Sequence, residues 1–194
     1  MLHLLNSTDS VDSERRLLQR IIDGDQLAKR ELYDRYSAKA MAVCMRYVAD
    51  EEVARDVLQE SFVKVFTSIE SVQFHGEGTL KAWVLRIVVN EAVNCLRNQT
   101  SHEEMITNRV PDVPEDQPPE EEPDVSGLPP GVLMELVEKL PAGYRTVLNL
   151  FVIEQRSHKE IAQLLGIKES TSASQFYHAK QMLIKMIEEY KNKQ

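Results

Sequence analysis

The chain has 194 residues, of which 42% are hydrophobic and 28% are charged, a composition typical of a soluble globular protein with one domain or two small ones. Its formal net charge of -8 excludes a uniformly basic protein that coats DNA. The apolar N-terminus is too short for a signal peptide, and no apolar run reaches the roughly 18 residues of a membrane span, so we expect a cytoplasmic protein.

Motifs for disulfides, metals and catalysis are missing from the sequence. The only cysteines are Cys44 and Cys95, neither in a CxxC pair, and the five histidines lack the spacing of metal ligands. We therefore expect both thiols to fill core space, with no metal and no cofactor. There is also no phosphate-binding loop, no nucleophile motif and no pair of carboxylates placed on a cavity-forming scaffold, which disfavours an enzyme with a small-molecule substrate.

Residues 100–131 divide the chain, because they hold seven of its eight prolines and nine acidic residues against one basic residue, Arg109. Such a segment cannot bury a core, so we predict a disordered linker. On both sides of it, apolar residues recur at helical spacing and runs long enough for strands are missing. The predicted fold class is therefore all-α, with two small helical domains at 1–99 and 132–194.

Four helices are predicted in the first domain, and the last carries a distinctive face. The predicted ranges are 13–24, 26–48, a third helix that Asp50 caps and whose apolar stripe ends at Ile69, and 80–97. At 100° per residue, one sector of about 80° on the fourth helix collects an aromatic side chain, two arginines and two asparagines: Trp83, Arg86, Asn90, Asn94 and Arg97. This face suits an unstacked base and its phosphates. A solvated stripe with Trp83 packed inward is the alternative.

The second domain has the pattern of a helix-turn-helix. Ser157 and Glu160 form a capping box, Gly166 suits the left-handed end of that helix, and a further helix covers 169–190. The side opposite its apolar stripe is predicted to face DNA: Ser170, Ser174, Tyr177, His178, Gln181 and Lys185, with Lys159, Lys168 and Lys180 near the backbone. A plain packing corner is the alternative, and this face is only weakly cationic.

Three stretches, taken in their order along the chain, together resemble one family. Residues 56–66 (DVLQESFVKVF) resemble D-x-x-Q-E-x-F-x-[KR]-x-[WFY], and residues 79–90 (TLKAWVLRIVVN) resemble F-x-[AT]-W-L-x-R-I-A-x-N. Residues 140–180 resemble an L-P pair followed by E-I-A-x-x-L-G-I and T-x-x-S-x-x-x-x-A-[KR]. The chain thus resembles the extracytoplasmic-function (ECF) sigma factors, minimal promoter-specificity subunits of bacterial RNA polymerase that contain only regions two and four.

The resemblance implies a polymerase-binding helix and two DNA sites. The third helix would dock on the clamp coiled coil of the largest subunit of core RNA polymerase through Arg55, Asp56, Gln59, Glu60, Val63 and Lys64. A base flipped from the minus-ten element of the melted non-template strand would be captured by Phe74, His75, Gly76, Lys81, Trp83, Arg86, Asn90 and Arg97. The minus-thirty-five element of duplex DNA would be read by Lys168, Thr171, Ala173, Ser174, Gln175, Tyr177, His178 and Lys180.

The sequence also departs from the family pattern. Members often carry basic residues where this chain has Ala173, Gln175 and His178, a branched apolar residue in place of Ser172, and an arginine in place of His75. The base sequence of the minus-thirty-five element is therefore not predicted, and duplex binding is expected to depend on tethering to polymerase. The family also implies an anti-sigma partner.

The linker suggests a further hypothesis. Its 32 residues have a relaxed span of roughly 30 Å and an extended reach of roughly 110 Å, whereas promoter elements two helical turns apart are separated by roughly 70 Å. The acidic residues Glu120, Glu121, Glu122 and Asp124 could hold the stretched linker in the basic nucleic-acid channel of polymerase. A merely solvating tether is the alternative.

Two other functions fit the helix-turn-helix. The chain could be a one-component repressor with 1–99 as its sensor or dimerisation domain, or a module that sequesters an anti-sigma factor without binding promoters. Only a sigma factor requires core polymerase for sequence-specific transcription.

Overall fold

The computed structural model describes residues 5–48, 50–99, 123–129 and 131–193, apart from the side chains of 5–12 and 99. The described residues form helices and connecting turns without a strand, which confirms the predicted all-α fold. They divide after Cys95 into two compact units. None of the described helices is long and apolar enough to cross a membrane, and no cluster of described side chains is suited to hold a metal ion.

The first unit contains four α-helices, as predicted. They are α1 (Leu5–Ile22), α2 (Gln26–Tyr47), α3 (Glu51–Ser68) with a 3-10 turn at Ile69–Ser71, and α4 (Thr79–Gln99). The start of α1 lies well before the predicted residue 13. Asp25 accepts from the amides of Leu27 and Ala28, and Asp50 accepts from those of Glu52 and Val53, so the predicted Asp50 cap is confirmed. Each cap satisfies donors that have no partner inside their helix.

The core of the first unit is apolar and contains one of the two cysteines. All four helices contribute fully buried side chains, among them Leu17, Leu32, Val65, Leu80, Val84 and Val88. Cys44 is also fully buried, and burial raises the pKa of its thiol to about 11. This confirms that Cys44 fills core space, whereas Cys95 is only partly buried.

One acidic side chain lies among these apolar residues. Glu14 is 7% exposed; its Oε1 accepts from the Tyr36 hydroxyl at 2.8 Å, and its Oε2 accepts from the Leu80 amide at 3.3 Å. Burial and the neighbouring Glu14 raise the pKa of Tyr36, which therefore keeps the proton that it donates. Because Leu80 lies in the first turn of α4, this carboxylate joins α1, α2 and the N-terminus of α4.

The second unit contains a short helix that the sequence did not indicate, followed by the predicted helix-turn-helix. Its elements are α5 (Val132–Glu138), α6 (Ala142–Leu148), a π-helical turn (Asn149–Ile153), α7 (His158–Leu165) and α8 (Glu169–Lys191). The capping box of Ser157 and Glu160 is present, and Gly166 ends α7 with a left-handed φ of 70°. Both local predictions are therefore confirmed.

The end of the predicted linker belongs to the second unit. Leu128 packs against the apolar cluster that includes Leu136 and Leu183. The Lys191 ammonium donates to the Asp124 carboxylate at 2.8 Å and to its backbone carbonyl at 2.9 Å. The prediction of a disordered segment up to residue 131 was therefore wrong for 124–129 and for Gly131, because one apolar residue and one ion pair attach this stretch to the helices. The rest of the linker, 100–122, lies outside the described residues.

Replacing Glu14 with alanine should lower the free energy of unfolding of the first unit by about 2–3 kcal/mol, because a buried hydroxyl and a helix amide both lose their acceptor. Urea unfolding of the full chain, followed by the fluorescence of the single tryptophan, Trp83, measures this loss. As a control, Glu70→Ala removes an exposed glutamate and should change stability by less than about 0.5 kcal/mol. Equal losses in the two variants would contradict a special role for Glu14.

Candidate DNA and polymerase interfaces

The polar face predicted on α4 lies at the surface. Arg86 and Arg97 are exposed, whereas Trp83, Asn90 and Asn94 are partly buried. The opposite side of α4 is fully buried through Leu80, Val84 and Val88. The predicted separation into a core side and a polar side is therefore confirmed, and Trp83 keeps part of its surface accessible.

The loop before α4 is ordered by its own hydrogen bonds. The His75 amide donates to the Thr79 hydroxyl at 3.2 Å, and the Thr79 amide donates to the Gly76 carbonyl at 3.2 Å. Gly76 and Gly78 have φ values of 134° and 81°, which side chains rarely tolerate. His75 is exposed and Phe74 is partly buried, so the loop places both beside the start of α4.

The side chains predicted to contact polymerase share the exposed side of α3. All six are exposed: Arg55, Asp56, Gln59, Glu60, Val63 and Lys64. Arg55 pairs with Glu51 at 2.5 Å, and Lys64 pairs with Glu91 of α4 at 2.5 Å. Val63 is 62% exposed. The surface is therefore mixed in charge and has one apolar residue, Val63.

A partly buried polar contact joins the two helices of the helix-turn-helix. Ser172, which replaces a branched apolar residue of the family pattern, is fully buried, and its hydroxyl lies 3.0 Å from Nδ1 of His158. The His158 ring stacks on Phe151 with centroids 4.6 Å apart and contacts Phe176 at 5.7 Å. The histidine and the serine therefore satisfy each other at the junction of α7 and α8.

Part of the predicted DNA-reading face of α8 is not accessible. Ser174 and Gln175 are 6% and 2% exposed, and the His178 ring is partly buried against Tyr144, with centroids 6.0 Å apart. The placement of Ser174 opposite the core side was wrong. A helical wheel assumes one buried side, whereas α8 packs against α5, α6 and α7.

The accessible surface of α8 is a narrower strip. Its exposed members are Lys168, Ser170, Ala173, Gln181 and Lys185, and its partly buried members are Thr171, Tyr177 and Lys180. The Lys180 ammonium lies 5.8 Å from the centroid of the Phe176 ring. The strip lies on the second helix of the helix-turn-helix, the helix that such motifs place in the major groove. Few of its side chains are cations.

Two family models match the chain in the order of its two units. The model of sigma-70 region 2 matches residues 32–102, and the model of sigma-70 region 4 matches residues 131–183. The chain belongs to the sigma-70 family. The α3 and α4 surfaces thus lie in region 2, and the helix-turn-helix lies in region 4.

Curated relatives place this sigma factor in the ECF group. It is 29% identical to the ECF RNA polymerase sigma-E factor of Haemophilus influenzae over 185 residues, which are 88% of this chain and 93% of the relative. It is 24% identical to the ECF RNA polymerase sigma factor SigW of Bacillus subtilis over 189 residues, 89% and 96% of the two chains. The solved structure of CnrH in complex with the cytosolic domain of CnrY is 20% identical, with a TM-score of 0.48, covering 90% of this chain and 96% of that one.

The sigma factor therefore binds core RNA polymerase and directs promoter-specific initiation, as the motifs predicted. The repressor alternative and the module that binds no promoter are both set aside by the match of regions 2 and 4 in one chain.

One surface of region 4 was missed by the sequence predictions. A groove of about 770 Å³ is lined mainly by apolar side chains, including Leu133, Val152 and Ile153. Val152 and Ile153 are 51% and 46% exposed. The signal was present, because they directly follow Phe151 and three consecutive residues of a helical turn cannot all face one core.

The contact between α7 and α8 can be tested by a double-mutant cycle. Ser172→Val and His158→Phe should each lower the free energy of unfolding of region 4 by about 1 kcal/mol, because each leaves a buried or partly buried polar group without this partner. The double variant replaces both groups with apolar ones, so its loss should be smaller than the sum by about 0.5–1.5 kcal/mol. Thermal unfolding followed by circular dichroism measures all four proteins, and strict additivity would show that the two side chains are not coupled.

Proposed function

We propose that α4 and the loop before it capture the flipped base of the minus-ten element. The observation that carries this proposal is the accessible face of Trp83, Arg86 and Asn90 on α4. The first turn of that helix is fixed by the hydrogen bond from the Leu80 amide to Glu14. Flipping costs a few kcal/mol per base, and stacking on an aromatic ring returns roughly 1–3 kcal/mol. Asn90 offers both donor and acceptor groups to a base edge, while Arg86 neutralises phosphate. Melting and reading are then one event.

The accessible strip of α8 reads the minus-thirty-five duplex in this proposal. Of the residues predicted to read this element, Ala173 and Tyr177 stay accessible, whereas Ser174 and Gln175 are buried and are left out of the proposal. Lys168 and Lys180 are left to neutralise phosphates. With so few cations, the salt-dependent part of the affinity is small, and the helix depends on polymerase to hold it at the promoter.

The exposed side of α3 docks on the clamp coiled coil of the largest polymerase subunit. The six exposed side chains on one helix support this assignment. An anti-sigma factor is part of the proposal as well, and the apolar groove with half-exposed Val152 and Ile153 offers it a surface in region 4. The protein acts in the cytoplasm and itself catalyses no reaction, since bond formation belongs to polymerase.

The acidic linker occupies the nucleic-acid channel of polymerase through Glu120, Glu121 and Glu122. Asp124 no longer belongs to this acidic group, because its carboxylate is paired with Lys191. With Asp124 anchored, 100–122 must connect α4 to region 4, and its extended reach of roughly 80 Å only just exceeds the roughly 70 Å between two promoter elements. A bound path through polymerase would offset the entropy lost by such stretching.

Trp83→Ala and Asn90→Ala should each abolish open-complex formation while the variant still binds core polymerase, because the stacking surface and the base-edge contacts are lost. Run-off transcription with core polymerase on genomic fragments maps the promoters once the start sites are sequenced. Permanganate reactivity of unpaired thymines then measures promoter melting. Asn98→Ala is the matched control, since Asn98 is an exposed asparagine of the same helix. Unchanged run-off transcription in the Trp83 and Asn90 variants would refute the site.

Changing Glu120, Glu121 and Glu122 together to glutamine should weaken binding to core polymerase and alter the yield of abortive RNA, because the charges that imitate a phosphate backbone are removed. Polymerase affinity and abortive products are measured on one mapped promoter. Glu103 and Glu104 changed to glutamine serve as the control at the other end of the linker. If the triple variant matched the wild type in both measurements, the linker would be a solvating tether.

A further inference from the structure

Arg15 of α1 lies against the loop before α4, although no motif or family match points to it. Its guanidinium carbon is 5.4 Å from the centroid of the Phe74 ring. Glu14, the preceding residue, is buried and holds the Leu80 amide, so this turn of α1 is fixed beside the start of α4. The Arg15 side chain itself is exposed.

The contact between Arg15 and Phe74 leaves the hydrogen-bonding groups of the guanidinium available. A cation over an aromatic ring is attracted by the negative face of the ring, which uses none of the five N–H donors. Within the part of the chain that the structure describes, no hydrogen bond or ion pair is formed by Arg15. The ring therefore orients a charged, multidentate donor at the edge of the loop.

The charges around the loop indicate what this donor binds. Lys81 and Arg86 are exposed on α4, and Arg15 adds a third cation from a different helix. The loop itself carries one exposed carboxylate, Glu77, which the three cations outnumber. Such a balance suits a strand of phosphates better than a neutral base, and phosphate contacts position a strand without reading its sequence.

We propose that Arg15 is a further DNA-contact residue of the minus-ten site and that it binds a backbone phosphate of the melted strand beside the flipped base. This inference rests on the function proposed above for α4. Phe74 orients the guanidinium, and Glu14 fixes the turn from which it projects.

The test uses the full chain bound to core polymerase and a forked DNA probe whose non-template strand is single-stranded over a mapped minus-ten element. Arg15→Gln should weaken binding roughly threefold or more at low salt, and the slope of log affinity against log salt should fall by about 0.7, the value for one phosphate on single-stranded DNA. Arg15→Lys should recover most of the slope because it keeps the charge. A probe with a mismatched minus-ten base should show the same loss, since the contact is not sequence-specific.

Arg30→Gln is the charge-matched control, because Arg30 is an 81% exposed side chain of α2 with a loose ion pair to Asp34 at 3.8 Å; its slope should equal that of the wild type. If Trp83→Ala binds the probe like the wild type, the function proposed for α4 fails and the Arg15 inference with it. If Trp83→Ala loses binding while Arg15→Gln keeps the wild-type slope, only the Arg15 inference fails.

Discussion

The first unit depends on a carboxylate that is removed from water. Glu14 is buried at a cost that only hydrogen bonds can offset, so its two acceptor atoms dictate where Tyr36 and the Leu80 amide must lie. Apolar contacts around it are stabilising but non-directional. The polar contact supplies direction, because it fixes the first turn of α4 relative to α1 and α2. The accessible face with Trp83 follows from that turn, as does the position of the loop before it.

Region 4 also contains a hydrogen bond between packed polar groups that fixes the position of a helix. The Ser172 hydroxyl is buried, the His158 ring is partly buried against two phenylalanine rings, and their hydrogen bond links the first turn of α7 to the first turn of α8. The angle between the helices of a helix-turn-helix decides which side chains enter the major groove. A polar pair therefore stands where the family pattern has a branched apolar residue, and Phe151 and Phe176 pack against its histidine.

Local and periodic signals made most of the fold predictable. The caps at Asp50 and Ser157 and the core side of α4 depend only on neighbouring residues or on one helical period, and the structure has them. The burial of Ser174 depends on three partner helices, and the attachment of Asp124 depends on Lys191, which is distant in sequence. Glu14 gave a signal, because it lies three, four and seven residues before the buried Leu17, Leu18 and Ile21 and so continues their stripe.

The net charge of -8 has a different meaning once the chain is divided. The negative charge is concentrated in 100–131, which contains nine acidic residues and one arginine. Region 4 has only slightly more basic than acidic residues. The accessible strip of α8 contributes little to duplex affinity, because five of its eight members are uncharged and the Lys180 ammonium lies over the Phe176 ring. A helix with so few phosphate contacts binds duplex DNA weakly on its own. In the proposed complex, docking of α3 on polymerase raises the effective concentration of α8 at the promoter, so initiation depends on the assembled complex.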